Sequence, residues 1–305
     1  MTSNVAILLC TYNGADFLQE QLDSFANQSC TDHHLFVYDD CSTDKTAALI
    51  AEYKKGHKAS WIQNPKHLGF CKNFLNAISS TPDNFEFYSL SDQDDIWCKN
   101  KLDKAIKYLE NIPEQTPALY CSRTTLIDNF GNHIGLSALF SKTPSFKNAL
   151  VQSLAGGNTM VFNKAARDIL AKATQDIEIL SHDWFIYQLI SGVGGKIYYD
   201  HEPEILYRQH ESNLVGSNNG FFARLSRAKS FFWGSFKRWN DSNLKALEKS
   251  VDLLTEENQK TFYYFSRARS RSMFFRLWGF FKAGIYRQTL LDNIALIVGG
   301  ILNKI

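Results

Sequence analysis

The segment Ser91-Asp92-Gln93-Asp94-Asp95 places three carboxylates within four residues, directly after the apolar run FEFYSL. Carboxylates this close repel one another unless a cation sits among them. Hard oxygen donors on a loop suit Mg2+ or Mn2+, which take one or two carboxylates and complete their shell with water and substrate phosphate. Asp92 and Asp94 are therefore candidate metal ligands, with Asp95 beside them. The competing use is a solvated acidic loop, although such loops seldom end a buried strand with a Trp two residues on. An EF-hand is excluded, because no ligands recur at its spacing and no Glu follows at its twelfth position.

Three further clusters could share a site with these acids. Thr11, Tyr12 and Asn13 in TYNG, and Asp39-Asp40 in DDCSTD, follow apolar runs. In open α/β sheets ligands bind beyond the carboxyl ends of the strands. There an Asp can accept from a pyrimidine N3–H while a Tyr lies against the base. The alternative is an ordinary βα turn rich in capping residues. His182-Asp183-Trp184 opens a helix, where Asp183 is either a first-turn dipole feature or a general base. Gly156-Gly157-Asn158 permits close backbone approach by a sugar, or serves only as a strand-entry turn. Arg208 can grip a diphosphate bidentately and His210 can complete a metal shell, unless both are surface decoration.

The elements that must position these residues alternate between strand and helix up to about residue 125, the pattern of a parallel sheet with crossover helices. Strands are expected at Val5 to Cys10, Leu35 to Tyr38, Trp61-Ile62, Phe85 to Leu90 and Ala118 to Cys121. The helix after TYNG has Asp16 as its expected cap. Thr159 to Phe162, Lys196 to Tyr199 and Ile205 to Arg208 are further strands, with helices from Ala165 and over His182 to Ile190. The fold class is α/β, a mostly parallel Rossmann-like sheet with flanking helices in residues 1–219, followed by a helical region in 220–305. No GxGxxG is present, which disfavours a dinucleotide fold.

A chain of 305 residues with 44% hydrophobic content can bury a full core. Its six cysteines lie in no CxxC pair and read as reduced and structural. The N-terminus lacks a basic n-region and no apolar window is long enough to span a bilayer, so a cytoplasmic protein is expected. Residues 220–240 and 264–290 hold 11 Lys or Arg and no acid, so the remainder of this +2 chain carries −9. An acidic body disfavours nucleic acid as a partner. The basic tail points to an anionic surface. Phe221, Leu225, Ala228, Phe232, Phe236 and Trp239 recur at helical spacing, with Arg224, Arg227 and Arg238 on other faces. Phe274, Phe275, Leu277, Trp278, Phe280 and Phe281 form a second such region with Arg271, Arg276 and Lys282. Such helices suit peripheral attachment to an anionic membrane; a helical core or a homodimer interface is the alternative.

Taken in order, LLCTYNGADFLQEQLDS, VYDDCSTDKT, HLGFCKNF, SLSDQDDIWCKNKL, GGNTMVFN, HDWF and YRQHESNLVG resemble the family 2 inverting glycosyltransferases of GT-A fold. The likeness is to the rhamnosyltransferase-like branch that builds bacterial surface polysaccharides, and it covers about residues 4–216. It implies a dTDP- or UDP-sugar donor held by Thr11, Tyr12, Asn13, Asp39, Asp40, Asp92, Asp95 and Arg208. It also implies Mg2+ or Mn2+ at a DxD motif formed by Asp92-Gln93-Asp94, with His210 alongside. Asp183 matches the family's catalytic base, although the common preceding acid is here His182. The acceptor, a saccharide that can be lipid-linked, would meet Gly156, Gly157, Asn158, His182 and Trp184. A sugar-nucleotide pyrophosphorylase would want a Gly-rich, basic loop after the first strand, which TYNGADF is not. A non-catalytic carbohydrate-binding module must account for SDQDD beside Asp183.

Overall fold

Val5–Thr11 reads VAILLCT and every one of its side chains is buried, which a strand sustains only when both faces of its sheet are covered. A computed structural model describes residues 4–174, 177–210 and 235–305. In it this strand, β1, is followed by α1 (Ala15–Ala26), β2 (His33–Asp39), α2 (Thr46–Tyr53), β3 (Ala59–Gln63), α3 (Phe70–Ser80) and β4 (Phe87–Ser91). β1 pairs in parallel with β2 and β4, and β2 with β3. Leu18, Leu22 and Phe25 of α1 fall on one buried face at helical spacing. Leu102, Ile106 and Leu109 of α4 (Lys101–Leu109) do the same.

The second half completes two sheets. β5 (Ile96–Trp97) precedes α4, and β6 (Ala118–Ser122), β7 (Thr125–Ile127) and β8 (His133–Leu136) follow it. Next come α5 (Phe146–Ala149), β9 (Val161–Asn163), α6 (Lys164–Ala173), α7 (His182–Gly192), β10 (Lys196–Asp200) and β11 (Ile205–Arg208). The main sheet has seven strands in the order β10-β6-β9-β4-β1-β2-β3, all parallel except β9. The expected strand at Thr159 instead begins at Val161, because Gly157–Thr159 forms a 3-10 turn. A small sheet of order β5-β11-β7-β8 has no counterpart in the sequence reading. It pairs Ile205 with Trp97, which brings the end of β11 against the acidic loop that precedes β5.

The cap expected of Asp16 is supplied from elsewhere. Asp16 lies inside the first turn of α1, and the free amide of Ala15 donates to Asp44 Oδ2 at 3.0 Å while Gly14 N donates to Thr46 Oγ1 at 3.0 Å. The first helix is thus capped by the loop after the second strand.

Four C-terminal helices, α8 (Ser235–Glu248), α9 (Glu256–Arg269), α10 (Met273–Ala283) and α11 (Leu290–Ile301), lie on the α7 side. Leu247, Phe262, Phe265 and Phe280 belong to the same buried cluster as Phe146, Leu150 and Phe185. Asn240 Nδ2 donates to Leu150 O at 2.7 Å, and Asn258 Nδ2 to Gly192 O at 2.9 Å. Of the first expected amphipathic stripe, Phe221, Leu225, Ala228 and Phe232 lie outside the described residues, as do Arg224 and Arg227. Phe236 packs 5.6 Å from Trp184, centroid to centroid. Arg276, expected to face headgroups, is instead buried, its guanidinium donating to Gly300 O and Arg271 O at 2.7 Å each. The six cysteines are unpaired, and no helix among the described residues is long and apolar enough to cross a membrane.

One buried amide joins several of these pieces. Asn163 Oδ1 accepts from Ala118 N at 2.9 Å and from Ala166 N at 3.1 Å, while its Nδ2 donates to Thr116 O at 2.8 Å. It therefore ties β6 to β9 and caps α6. Asn163→Ala should lower the unfolding free energy by about 2–3 kcal/mol, seen as a reduced urea midpoint with an unchanged slope.

Candidate active site

The ends of β1 and β2 are buckled together before any ligand is considered. Thr11 Oγ1 donates to Asp39 Oδ1 at 2.9 Å, and Ser42 gives Asp39 its amide at 3.0 Å and its hydroxyl at 2.5 Å. Asn13 has φ 47, a left-handed conformation that Asn tolerates better than most residues. Its Oδ1 accepts from Thr43 N at 2.8 Å. Asp40 accepts from Leu68 N, Gly69 N and Asn64 Nδ2 at 2.7–2.9 Å, with His67 Nδ1 at 2.9 Å. Thr11, Asp39 and Asp40 are buried and committed to the chain's own donors. Their polar atoms are held by the chain's own groups at the position where the sequence reading expects a nucleotide contact. What they leave open is Tyr12, 48% exposed, whose ring lies 4.4 Å from that of His67.

Gln93 joins this turn to the acidic loop. Its Oε1 accepts from Tyr12 N at 2.8 Å and its Nε2 donates to Tyr12 O at 3.1 Å, so one side-chain amide pairs with both groups of one residue. A Cβ on Gly14 would run into this side chain, which is why the turn has no side chain there.

The three carboxylates of the loop have separate environments. Asp95 is fully buried, and its oxygens accept from Asn158 Nδ2 at 2.6 Å and Arg208 N at 3.2 Å. These contacts anchor Asp95 in the interior and tie it to Asn158, where the sequence reading expects a donor and an acceptor contact. Asp94 Oδ2 meets His210 Nε2 at 2.7 Å, and the His210 ring stacks on Phe17. Asp92 is half-buried and has its carboxyl pushed up to about 8, first by burial and then by the charges of Asp94 and Asp183. The contact of Gly157 with His182 and the hydrogen bond from Asn158 to Asp95 place the start of α7 beside the acidic loop.

Arg208 departs most clearly from expectation. It is 1% exposed; Nε donates to Asp94 O at 3.1 Å, Nη1 to Asn129 O at 3.1 Å, and Nη2 to Glu20 at 2.7 Å, with Phe17 beneath the guanidinium. These contacts hold Arg208 against the acidic loop, where the sequence reading expects a grip on a diphosphate.

At the start of α7, Asp183 Oδ1 accepts from Trp184 N at 2.7 Å and from the Ser181 hydroxyl. Its Oδ2 accepts nothing from the described residues. His182 is buried and stacked 4.2 Å from Phe74, with Nε2 directly under Gly157, where a Cβ would collide with it. Trp184 is also buried, donating Nε1 to Ala149 O at 2.6 Å. Both pack against the protein and support the start of the helix that carries Asp183, where the sequence reading expects acceptor contacts. Burial lowers the His182 pKa, with Asp183 opposing.

The contacts that His67, Gln93, Phe17 and Glu20 make here were not foreseen from the sequence. Gly14 was the only written signal for Gln93, since a glycine before a helix marks a backbone that something approaches closely. Among the described residues no three His, Cys, Asp or Glu side chains form a metal cage. Mg2+ and Mn2+ do not require one, because one or two carboxylates with water and phosphate suffice. The Asp94–His210 pair with Asp92 beside it fits that modest demand.

Comparison with known proteins agrees with this geometry. The family described as Glycosyl transferase family 2 matches residues 6–170. The dTDP-rhamnosyl transferase RfbG of Shigella flexneri is 30% identical over 237 residues, 72% of this chain and 77% of that one. Among solved structures, S. aureus TarS 1-349 in complex with UDP-GlcNAc superposes with a TM-score of 0.56 at 16% identity, covering 93% of each chain. The mannosyltransferase PcManGT of Pyrobaculum calidifontis, in complex with GDP-Man and Mn2+, gives 0.50 at 14% identity, covering 99% of this chain and 85% of that one.

Arg208→Met separates a positioning role from a phosphate grip. Loss of its donors to Asp94 O and Asn129 O should cost about 2–3 kcal/mol of stability, measured by denaturant unfolding without ligand. A guanidinium that served only a diphosphate would leave that value unchanged.

Proposed function

This chain belongs to glycosyl transferase family 2, with the GT-A fold and a rhamnosyltransferase among its relatives, and from that premise we propose that it transfers a hexose with inversion. The donor is a dTDP- or UDP-sugar, rhamnose being favoured because the Shigella relative is a dTDP-rhamnosyl transferase. The acceptor is a hydroxyl of a saccharide, lipid-linked at the cytoplasmic membrane face, in surface-polysaccharide synthesis. The observation that carries the reading is a chain of contacts from the start of the helix that bears Asp183 to the acidic loop: His182 packs under Gly157, and the next residue, Asn158, donates to Asp95 at 2.6 Å. A base and an acidic loop in one pocket are what a single displacement needs.

Tyr12 and His67 offer ring faces to a pyrimidine. Asp94, with His210 and Asp92, would hold Mg2+ or Mn2+, which when bound supplies positive charge beside the departing diphosphate. Asp183 Oδ2 takes the proton of the acceptor hydroxyl as that oxygen bonds to the anomeric carbon. The bond from that carbon to the diphosphate oxygen breaks on the opposite face, and its electron pair leaves with the nucleoside diphosphate. One such displacement inverts the anomeric centre. Gly157 lets its loop lie against His182 and so fixes the helix start that aims the base.

Asp183→Asn should reduce transfer by roughly 10²- to 10⁴-fold while leaving the affinity for dTDP and UDP unchanged in titration calorimetry. Asp94→Asn should instead remove the Mn2+ dependence of that affinity. Equal loss of nucleotide affinity in both variants contradicts the assignment of the base.

A further inference from the structure

The last helices turn large apolar side chains outward. On α10, Phe274 and Phe281 are 71% and 75% exposed; on α11, Leu290 and Leu291 are 77% and 74% exposed. These are not frayed ends. Arg276 clamps α10 to Gly300 O of α11, Phe280 and Leu277 pack where a Gly300 side chain would stand, and Gly279 lies tightly against Ala268 of α9. A rigid element that shows this much apolar surface on one region of a protein is made to be covered.

The neighbouring cleft indicates by what. A hollow of about 650 Å3 between α9 and α10 is lined by Lys260, Arg267 and Arg271 together with Tyr263, Tyr264 and Phe275, and no acidic side chain among the described residues lines it. Arg267 lies over the Tyr263 ring at 5.5 Å, a pairing that spreads an aromatic foot beneath a cation. Cations over aromatics, beside exposed Phe and Leu, match a bilayer interface, where phosphates lie above acyl chains. A second copy of this chain would bring like charge towards like charge at the same cleft.

We infer that α9, α10 and α11 form a docking surface for an anionic bilayer, with lipid phosphates held between Lys260, Arg267 and Arg271 and with Phe274, Phe281 and Leu291 seated among the acyl chains. The inference does not depend on the donor chemistry, since the surface is separate from the acidic loop. It goes beyond the amphipathic pattern of the sequence, because α9 and its end supply Lys260 and Arg267 beside Arg271, whereas Arg276 is interior.

The test uses the full chain and sedimentation with vesicles of phosphatidylcholine alone or mixed with phosphatidylglycerol. The wild type should bind the anionic vesicles roughly tenfold more tightly or better, and salt near about 0.5 M should remove that preference. Arg267→Glu with Arg271→Glu should abolish the preference. Phe274→Ser with Phe281→Ser should release the protein from both vesicle types. Nucleotide affinity should be unchanged in each variant, which shows that the fold and the donor site are intact. Equal binding of wild type and charge-reversed protein to anionic vesicles overturns the inference, as does no binding at all. It is overturned equally by a vesicle-independent dimer, seen in analytical ultracentrifugation, that the Phe→Ser pair dissociates.

Discussion

Mutual repulsion among Asp92, Asp94, Asp95 and Asp183 is the constraint around which this pocket is arranged. In a buried setting each charge raises the cost of the next, and the surroundings answer each one differently. Asp95 lies deepest, and burial followed by its acidic neighbours drives its pKa well up, opposed by Asn158 and the Arg208 amide. Lys101, fully buried behind it, donates to Ser89 Oγ at 2.9 Å and stands 3.6 Å from the Trp97 ring; burial lowers its pKa to about 7 against the pull of Glu204 and Asp95. Asp94 has His210. Asp92 has no such partner among the described residues, and the negative charge gathered there is what a cation would offset.

That distribution explains why the small second sheet exists. Asp94 and Asp95 belong to a loop that starts at the end of β4, whereas Asn158, Arg208 and His210 come from far along the chain. Pairing β5 with β11 brings them together, and pairing β11 with β7 adds the carbonyls that hold the Arg208 guanidinium. Gln93 fixes the loop from its other side through Tyr12. The Tyr12 turn and the acid-bearing loop are therefore fastened to each other, which suits a reaction that depends on fixed distances.

Strands such as β1 were legible because they are continuous apolar runs ending in polar turn residues, and the acidic loop stood out as a candidate site because three carboxylates follow such a run. What could not be read was the direction in which individual side chains point. Arg208, Asp40 and Trp184 are residue types that recognise ligands, and here they recognise the protein's own carbonyls and amides instead. β5 is two residues long and carries no periodicity to detect. The antiparallel β9 sits between β4 and β6 in space while following both in sequence, an insertion that local pattern does not encode. Arg276 followed the helical stripe of a surface cation, yet its neighbour α11 captured it.

The continuous core joining α5 and α7 to α8, α9 and α10 has an evolutionary corollary. Leu247, Phe262 and Phe265 pack with Phe146, Leu150 and Phe185 in one cluster, so the tail is no cassette that recombination can exchange between relatives. A chimera that took its C-terminal helices from another member would have to import the complementary face of α5 and α7, and with it the helix that presents Asp183. New acceptor surfaces in this lineage should therefore arise through gradual, covarying change on both sides of that seam.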